Sequence, residues 1–318
     1  MRVVFWGSPE FAVTVLDAVL SSRHEVVGVV TRPPRPTGRG RRERPTPVAA
    51  LAESTGVPVL APRRPRGEEL EAALAALDPD VSLVAAYGAL LSPEILALPR
   101  HGSLNVHASL LPDYRGAAPV TRAILDGRAE TGITIMRMEE GLDSGAICLQ
   151  ATTPIGPEDT AASLTARLAE LGGRLAVEAL DRLADGTLDE TPQDAARATY
   201  AAKVSTGDAA VDWSLPAESI ERAARAFDPS PGAWTTWRGG RLKLFRASLA
   251  ADAAGAGPTG APGEILTLDP APVVRTGAGA LRLDVVQPAG ARRMSGAEWA
   301  RGRGVRVGER LGPPGVGR

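Results

Sequence analysis

The sequence has few of the residues that most often carry cross-links, metal ions or a bulky core. One cysteine, Cys148, stands in 318 residues, which excludes an internal disulfide and a cysteine-rich metal site. It reads as a small apolar residue in a strand. There are three histidines, and the candidate ligands show no metal-like spacing, so no metal is expected. Aromatic residues amount to 4%, so the core must rest on Ala, Val and Leu. Lysine occurs only at Lys203 and Lys243, and arginine supplies the rest of the positive charge. No apolar run reaches the roughly 18 residues of a membrane-spanning helix. Met1 to Gly7 enters a strand pattern without the apolar region of a secretion signal. A cytoplasmic protein is expected, and nothing demands more than a monomer.

What is present fits an ordinary globular chain, 44% hydrophobic and 23% charged. Its length allows two domains and an ample core. A formal net charge of −1 hides an asymmetry. Residues 1–199 carry 20 Arg against 26 Asp and Glu, a net of −6, whereas residues 200–318 carry 16 Lys and Arg against 11 acids, a net of +5. An acidic part joined to a basic part hints at a polyanionic partner for the second.

The opening reads as a βαβ unit: an apolar run Arg2–Trp6, a helix Phe11–Leu20 and a strand Glu25–Thr31. Gly7 stands alone in the first turn, without a G-x-G-x-x-G fingerprint, so a dinucleotide site is poorly supported. Val48–Thr55 and Glu68–Leu77 pattern as helices and Val57–Leu60 as a short strand. Val81–Tyr87 is a continuous apolar run, as a central strand covered on both faces requires. Gly132–Met138 and Ala146–Ile155 pattern as strands, and Thr160–Leu183 as a long amphipathic helix with Leu164, Leu168, Leu171, Leu175 and Leu180 inward. The polar stretch after it reads as a linker. Short runs then alternate with Gly/Pro turns: Gly240–Arg246, Glu264–Leu268, Val273–Arg275 and Leu281–Gln287. That pattern suggests a small OB-like β-barrel, a fold often used on nucleic acids. Residues 291–318, with seven Arg and two Glu, read as a solvated tail turn with some phosphate contact. The expected fold is therefore α/β: a Rossmann-like open sheet in a first domain over 1–188, a linker over 189–206 and an OB-like domain over 207–318.

The chemistry gathers in one stretch. In Leu104-Asn-Val-His107 the side chains of Asn105 and His107 are two apart on an extended segment and point the same way. An amide and an imidazole so placed can donate hydrogen bonds to the oxygen that gains charge when an acyl carbonyl is attacked. Asp143, in the Gly-bracketed Gly141-Leu-Asp-Ser-Gly145, can orient His107 or exchange a proton with it. Asn-x-His, then Ser109-Leu-Leu-Pro112, Tyr114-Arg-Gly-Ala-Ala-Pro119 and Gly-Leu-Asp-Ser-Gly together resemble the folate-dependent formyltransferases, and among them the branch that acts on methionyl-tRNA. Val286-Gln-Pro-Ala-Gly290 with Met294-Ser295 matches the close of that branch.

The resemblance implies an enzyme that moves the formyl group of 10-formyltetrahydrofolate to the α-amine of methionine on initiator tRNA. It implies Asn105, His107 and Asp143 as catalytic residues. It implies a folate site from Tyr87, Gly88 and Leu90 in one turn and Ser109, Leu110, Leu111 and Pro112 in another. Tyr87 reads equally well as a core aromatic. The Pro-stiffened Ser109–Pro112 segment is suited to offer backbone polar groups and leucines to a flat heterocycle. Arg32–Pro45 holds six Arg against one Glu, with Pro and Gly breaking any helix. Read alone it is a solvated loop or a phosphate-contacting one. Its Arg-Pro-x-Gly-Arg-Gly resembles the tRNA-contacting insertion of that branch, which implies Arg35, Arg39, Arg41 and Arg42 as tRNA contacts, with Lys203 as a further candidate. Pro34, Ala108 and Asp113 depart from the residues usual in the family, none of them at the proposed chemistry. Two alternatives remain: formyl transfer to a small amine such as a nucleotide sugar or glycinamide ribonucleotide, and a non-catalytic RNA-binding protein. The basic loop and second domain argue against the first, and Asn105, His107 and Asp143 together argue against the second.

Overall fold

The computed structural model describes residues 1–37, 42–250 and 260–312. The chain divides into two compact units. The first is Met1–Pro119, Glu130–Pro154 and Leu164–Ala202; the second is Val120–Ala129, Ile155–Ser163 and Lys203–Arg318.

The chain opens with β1 (Arg2–Gly7), α1 (Glu10–Leu20) and β2 (Glu25–Val30), followed by a short hairpin of β3 (Arg35–Thr37) and β4 (Arg42–Arg44). Next come α2 (Pro47–Ser54), β5 (Val59–Leu60), α3 (Glu68–Ala75), β6 (Val81–Ala85), α4 (Pro93–Ala97) and β7 (Ser103–His107). The two-residue β8 (Arg115–Gly116) and α5 (Pro119–Leu125) precede the antiparallel pair β9 (Glu130–Arg137) and β10 (Ile147–Pro154). The long α6 (Ala161–Ala184) and the two-residue β11 (Tyr200–Ala201) follow.

The main sheet of the first unit runs β10-β9-β7-β6-β1-β2-β5. β5, β2, β1, β6 and β7 are parallel, and β9 is antiparallel to both β7 and β10. This is the expected Rossmann-like open sheet with an antiparallel edge. Its central strands are apolar throughout because both faces are covered: β6 is buried along its whole length, and β1 from Val3 to Gly7. On one face Trp6, Val27, Leu74, Val84, Tyr87 and Ile95 form a core. α6 buries Leu164, Leu168, Leu175 and Leu180, four of the five leucines expected inward. Gly172 lets this helix lie close, since a Cβ there would stand 2.9 Å from Cγ1 of Val106 on β7.

The strand order reverses between β1 and β6, and ligands of open α/β sheets bind beyond the carboxyl ends of the strands at such a point. Gly7 closes β1 there, where a Cβ would meet the Ala85 carbonyl oxygen at 2.9 Å. The basic segment leaves from the same edge. Thr31 Oγ1 lies 2.6 Å from the Thr46 hydroxyl, and Ser8 Oγ accepts from the Arg32 amide at 3.1 Å. The segment is more regular than expected, since β3 pairs with β4 from Arg35–Arg44 to Thr37–Arg42. Arg39 and Arg41 lie outside the described residues.

The second unit contains α7 (Ala217–Ala226), β12 (Ala233–Trp237), β13 (Gly240–Leu249), β14 (Ile265–Thr267), β15 (Val273–Arg275), β16 (Ala280–Pro288), β17 (Met294–Ser295) and α8 (Gly296–Arg303). Its sheet is antiparallel, in the order β12-β13-β16-β15-β14, with β17 on β16. The two edge strands are joined through residues 308–312. The Ile265 amide donates to Glu309 O at 2.8 Å, and the Gly312 amide donates to Thr236 O at 3.0 Å. Residues 291–312 of the expected tail are thus part of the fold. A capping box of Ser295 and Glu298 starts α8, which puts Trp299 at 0% exposure in the core beside Val305 and Leu311. These apolar residues are spaced among arginines, and average composition concealed them.

Candidate active site

β7 carries Asn105 and His107 on one side of its last turn of pleat, with Val106 between them facing α6. Asn105 is half-buried, and its side-chain amide has no hydrogen-bond partner among the described residues. His107 is buried. Its Nε2 lies 3.0 Å from the Tyr114 carbonyl oxygen, so Nε2–H donates and Nδ1 is left for the cleft. Nδ1 faces Asp143 Oδ2 at 3.7 Å, an ion-pair distance longer than a direct hydrogen bond.

Asp143 is in the left-handed region at φ +50°, a conformation Asp tolerates better than most residues. Its Oδ2 accepts from the Gly116 amide at 2.7 Å. One short stretch, Tyr114–Gly116, therefore holds both partners: the imidazole through a carbonyl and the carboxylate through an amide. β8 in turn pairs in parallel with β11. Thr199 Oγ1 accepts from the Tyr114 amide at 2.8 Å, and the Arg115 amide donates to Thr199 O at 2.9 Å. The stretch expected as a linker is bonded to this unit at Thr191, Gln193, Thr199 and Ala201. Its polar composition carried no signal of this, because its partners lie 44 to 87 residues away in sequence.

The Ser109–Pro112 segment is tied to the strands behind it. Several of its backbone polar groups are already in use. Thr134 Oγ1 donates to Ser109 O at 2.7 Å and accepts from the Leu111 amide at 3.1 Å, while Gln150 Nε2 donates to Leu111 O at 2.9 Å. Ser109 and Leu111 are buried, and Leu110 and Pro112 are partly open. Of the turn after β6, Tyr87 belongs to the core, its ring edge-on to Trp6 with centroids 5.3 Å apart. Burial pushes its hydroxyl pKa up, and the nearby Arg32 guanidinium opposes the shift. Gly88 is exposed and Leu90 is 71% exposed. Leu90, Leu96, Met138 and Leu142 line a hollow that ends on Asp143, with Leu142 at 51% exposure. Sequence reading did not single out Met138 or Leu142, which look like ordinary strand-end and loop residues.

Residues 1–180 match the family model described as formyl transferase, and residues 203–304 match that of the formyl transferase C-terminal domain. The chain belongs to the formyltransferase family. Relatives include methionyl-tRNA formyltransferases from Nocardioides sp. strain JS614, 50% identical over 98% of this chain and 98% of that protein, and from Roseiflexus sp. strain RS-1, 48% identical over 98% and 95%. Among solved structures, HypX from Aquifex aeolicus in complex with tetrahydrofolic acid has a TM-score of 0.66 at 20% identity, covering 97% of this chain and 48% of HypX. The sugar 3N-formyltransferase WlaRD has a TM-score of 0.66 at 15% identity, covering 92% and 99%. At these identities the two structures share the fold. The formyltransferase carries no group of three His, Cys, Asp or Glu among its described residues placed to hold a metal ion, and no described helix is long and apolar enough to cross a membrane.

Proposed function

We propose that this chain transfers the formyl group of 10-formyltetrahydrofolate to the α-amine of methionine on initiator tRNA. The observation that carries the chemistry is the open Asn105 amide beside His107 Nδ1, with Asp143 Oδ2 at 3.7 Å. The near full-length likeness to methionyl-tRNA formyltransferases supports the choice of acceptor.

The neutral amine attacks the formyl carbon, and the carbonyl oxygen becomes an oxyanion. Asn105 donates to that oxygen. His107 in its protonated form donates from Nδ1, because Nε2 is held by Tyr114. Each such donor contributes on the order of 3 kcal/mol to lowering the barrier. Asp143 sustains the imidazolium and takes the proton released by the amine. The C–N10 bond then breaks, and the proton passes to N10 of the departing tetrahydrofolate. The heterocycle lies against Leu90, Leu142 and the open faces of Leu110 and Pro112, with Gly88 giving room, while Tyr87, Ser109 and Leu111 support this surface from beneath. Arg35, Arg39, Arg41 and Arg42 contact tRNA phosphates. Lys203, exposed at the start of the second unit, adds to that contact. This reading places the protein in the cytoplasm with translation.

The test incubates the protein with 10-formyltetrahydrofolate and methionine-charged initiator tRNA, alongside His107→Ala and Arg41→Ala. Wild type is expected to make formylmethionyl-tRNA, and His107→Ala to lose about 10²- to 10³-fold in kcat. Arg41→Ala is expected to weaken tRNA binding with a reduced dependence on salt. Consumption of the folate without formylmethionine would transfer the reading to a small amine acceptor. An untouched folate with retained tRNA binding would remove the catalytic reading.

A further inference from the structure

The Asp143 loop is held by a side chain that the chemistry above does not use. Gln193 Nε2 donates to Asp143 O at 2.9 Å and to Gly145 O at 2.7 Å. Its Oε1 accepts from Arg115 Nε at 3.1 Å and from Arg115 Nη2 at 2.8 Å. Both amide hydrogens and the amide oxygen are thus in use, and no freedom is left to turn the group. Arg115 is buried, at 7% exposure, and among the described residues its guanidinium meets this neutral amide rather than a carboxylate. A cation on Oε1 withdraws charge from the amide and makes its N–H groups stronger donors.

We propose that Gln193, polarised by Arg115, is a positioning residue that keeps the Asp143 carboxylate in register with His107. The loop needs such a hold. It runs between Gly141 and Gly145, with Asp143 itself at φ +50°. Gly145 is fixed by close approach, since a Cβ there would overlap Arg137 O at 2.0 Å. Gln193 ties the carbonyls on either side of Ser144 to Arg115, and the next residue, Gly116, binds the carboxylate. The same short strand therefore anchors the Asp143 backbone through Gln193 and its side chain through the Gly116 amide. Displacement of a reacting group by about 1 Å is enough to cost about 10²-fold in rate.

The inference rests on the reading of His107 and Asp143 as the reacting pair, and the test separates the two. Gln193→Glu keeps an acceptor for Arg115 and gains an ion pair, so the fold holds. It loses both donors and sets a carboxylate against two carbonyl oxygens. Gln193→Asn keeps the chemistry one methylene short. For Gln193→Glu, kcat is expected to fall about 10- to 100-fold with KM for folate and tRNA within about threefold of wild type. Gln193→Asn should lie between the two, and thermal unfolding of both should stay near wild type. Wild-type kcat in both variants overturns the proposal, as does a loss of activity matched by a loss of folded protein. If wild type itself does not formylate methionyl-tRNA, the functional reading falls, and crystal structures decide the inference. A carboxylate displaced from His107 in Gln193→Glu supports it, and an unchanged 3.7 Å separation overturns it.

Discussion

His107 has one ring nitrogen committed to a backbone carbonyl, so its chemistry belongs to Nδ1 and to the carboxylate opposite. Asp143→Asn keeps the volume and leaves an oxygen for the Gly116 amide, and removes only the charge and the basicity. Its kcat is expected to fall by about 10²-fold or more, with thermal unfolding close to wild type, read by steady-state formyl transfer beside a melting curve. Cys148 gives a second expectation at this scale. Burial pushes its thiol up to about 11 from 9.0, so the thiolate is scarce at neutral pH. Alkylation of the native protein should be slow at pH 8, fast in urea, and should rise steeply only above about pH 10. The sign for stability follows. Between pH 9.0 and about 11 the unfolded chain loses this proton and the folded chain keeps it, so stability declines as pH rises through that window.

The decisive element is the two-residue β8. Gly116 sits at φ +116°, and a Cβ would stand 2.8 Å from Ala201 O. Gly116→Ala should part β8 from β11 at a cost of about 1–3 kcal/mol, read by urea unfolding. Activity should fall further than stability, because the Gly116 amide also holds Asp143. The longer elements were legible from pattern alone. β1, β6 and α6 show the periods of buried strand and amphipathic helix, and their bounds in the structure differ by one or two residues from those expected. β8 and β11 were not legible. Two residues carry no period, and a parallel pairing across 85 residues of sequence leaves no local mark.

At the scale of the whole molecule, the second unit depends on its last residues. Trp299→Ala should cost about 3–5 kcal/mol, read as an earlier urea transition of the second unit followed by the fluorescence of Trp213 and Trp234. Glu309 lies in the closing segment, paired with Arg238 and accepting from Trp237 Nε1 at 2.7 Å. Its carboxyl is held below the usual 4.5, chiefly by the hydrogen bond from Arg238. A group depressed in the folded state stabilises above its unfolded value, and that contribution is lost as pH falls through the folded one. The penalty of Glu309→Gln should therefore be present at pH 7 and shrink as pH drops below 4.5, measured by urea unfolding of both proteins across that range. The sequence by itself determined the open sheet, the antiparallel second unit and the presence of Asn105, His107 and Asp143, because local period and short motifs survive in one dimension. Only the tertiary structure decided which nitrogen of His107 is free, that Gln193 and Arg115 clamp the Asp143 loop, and that residues 308–312 join the edge strands. The first rests on a turn that brings the Tyr114 carbonyl back onto His107, and the other two on pairings between residues far apart in sequence, fixed by the need of buried polar groups for partners and of sheet edges for cover.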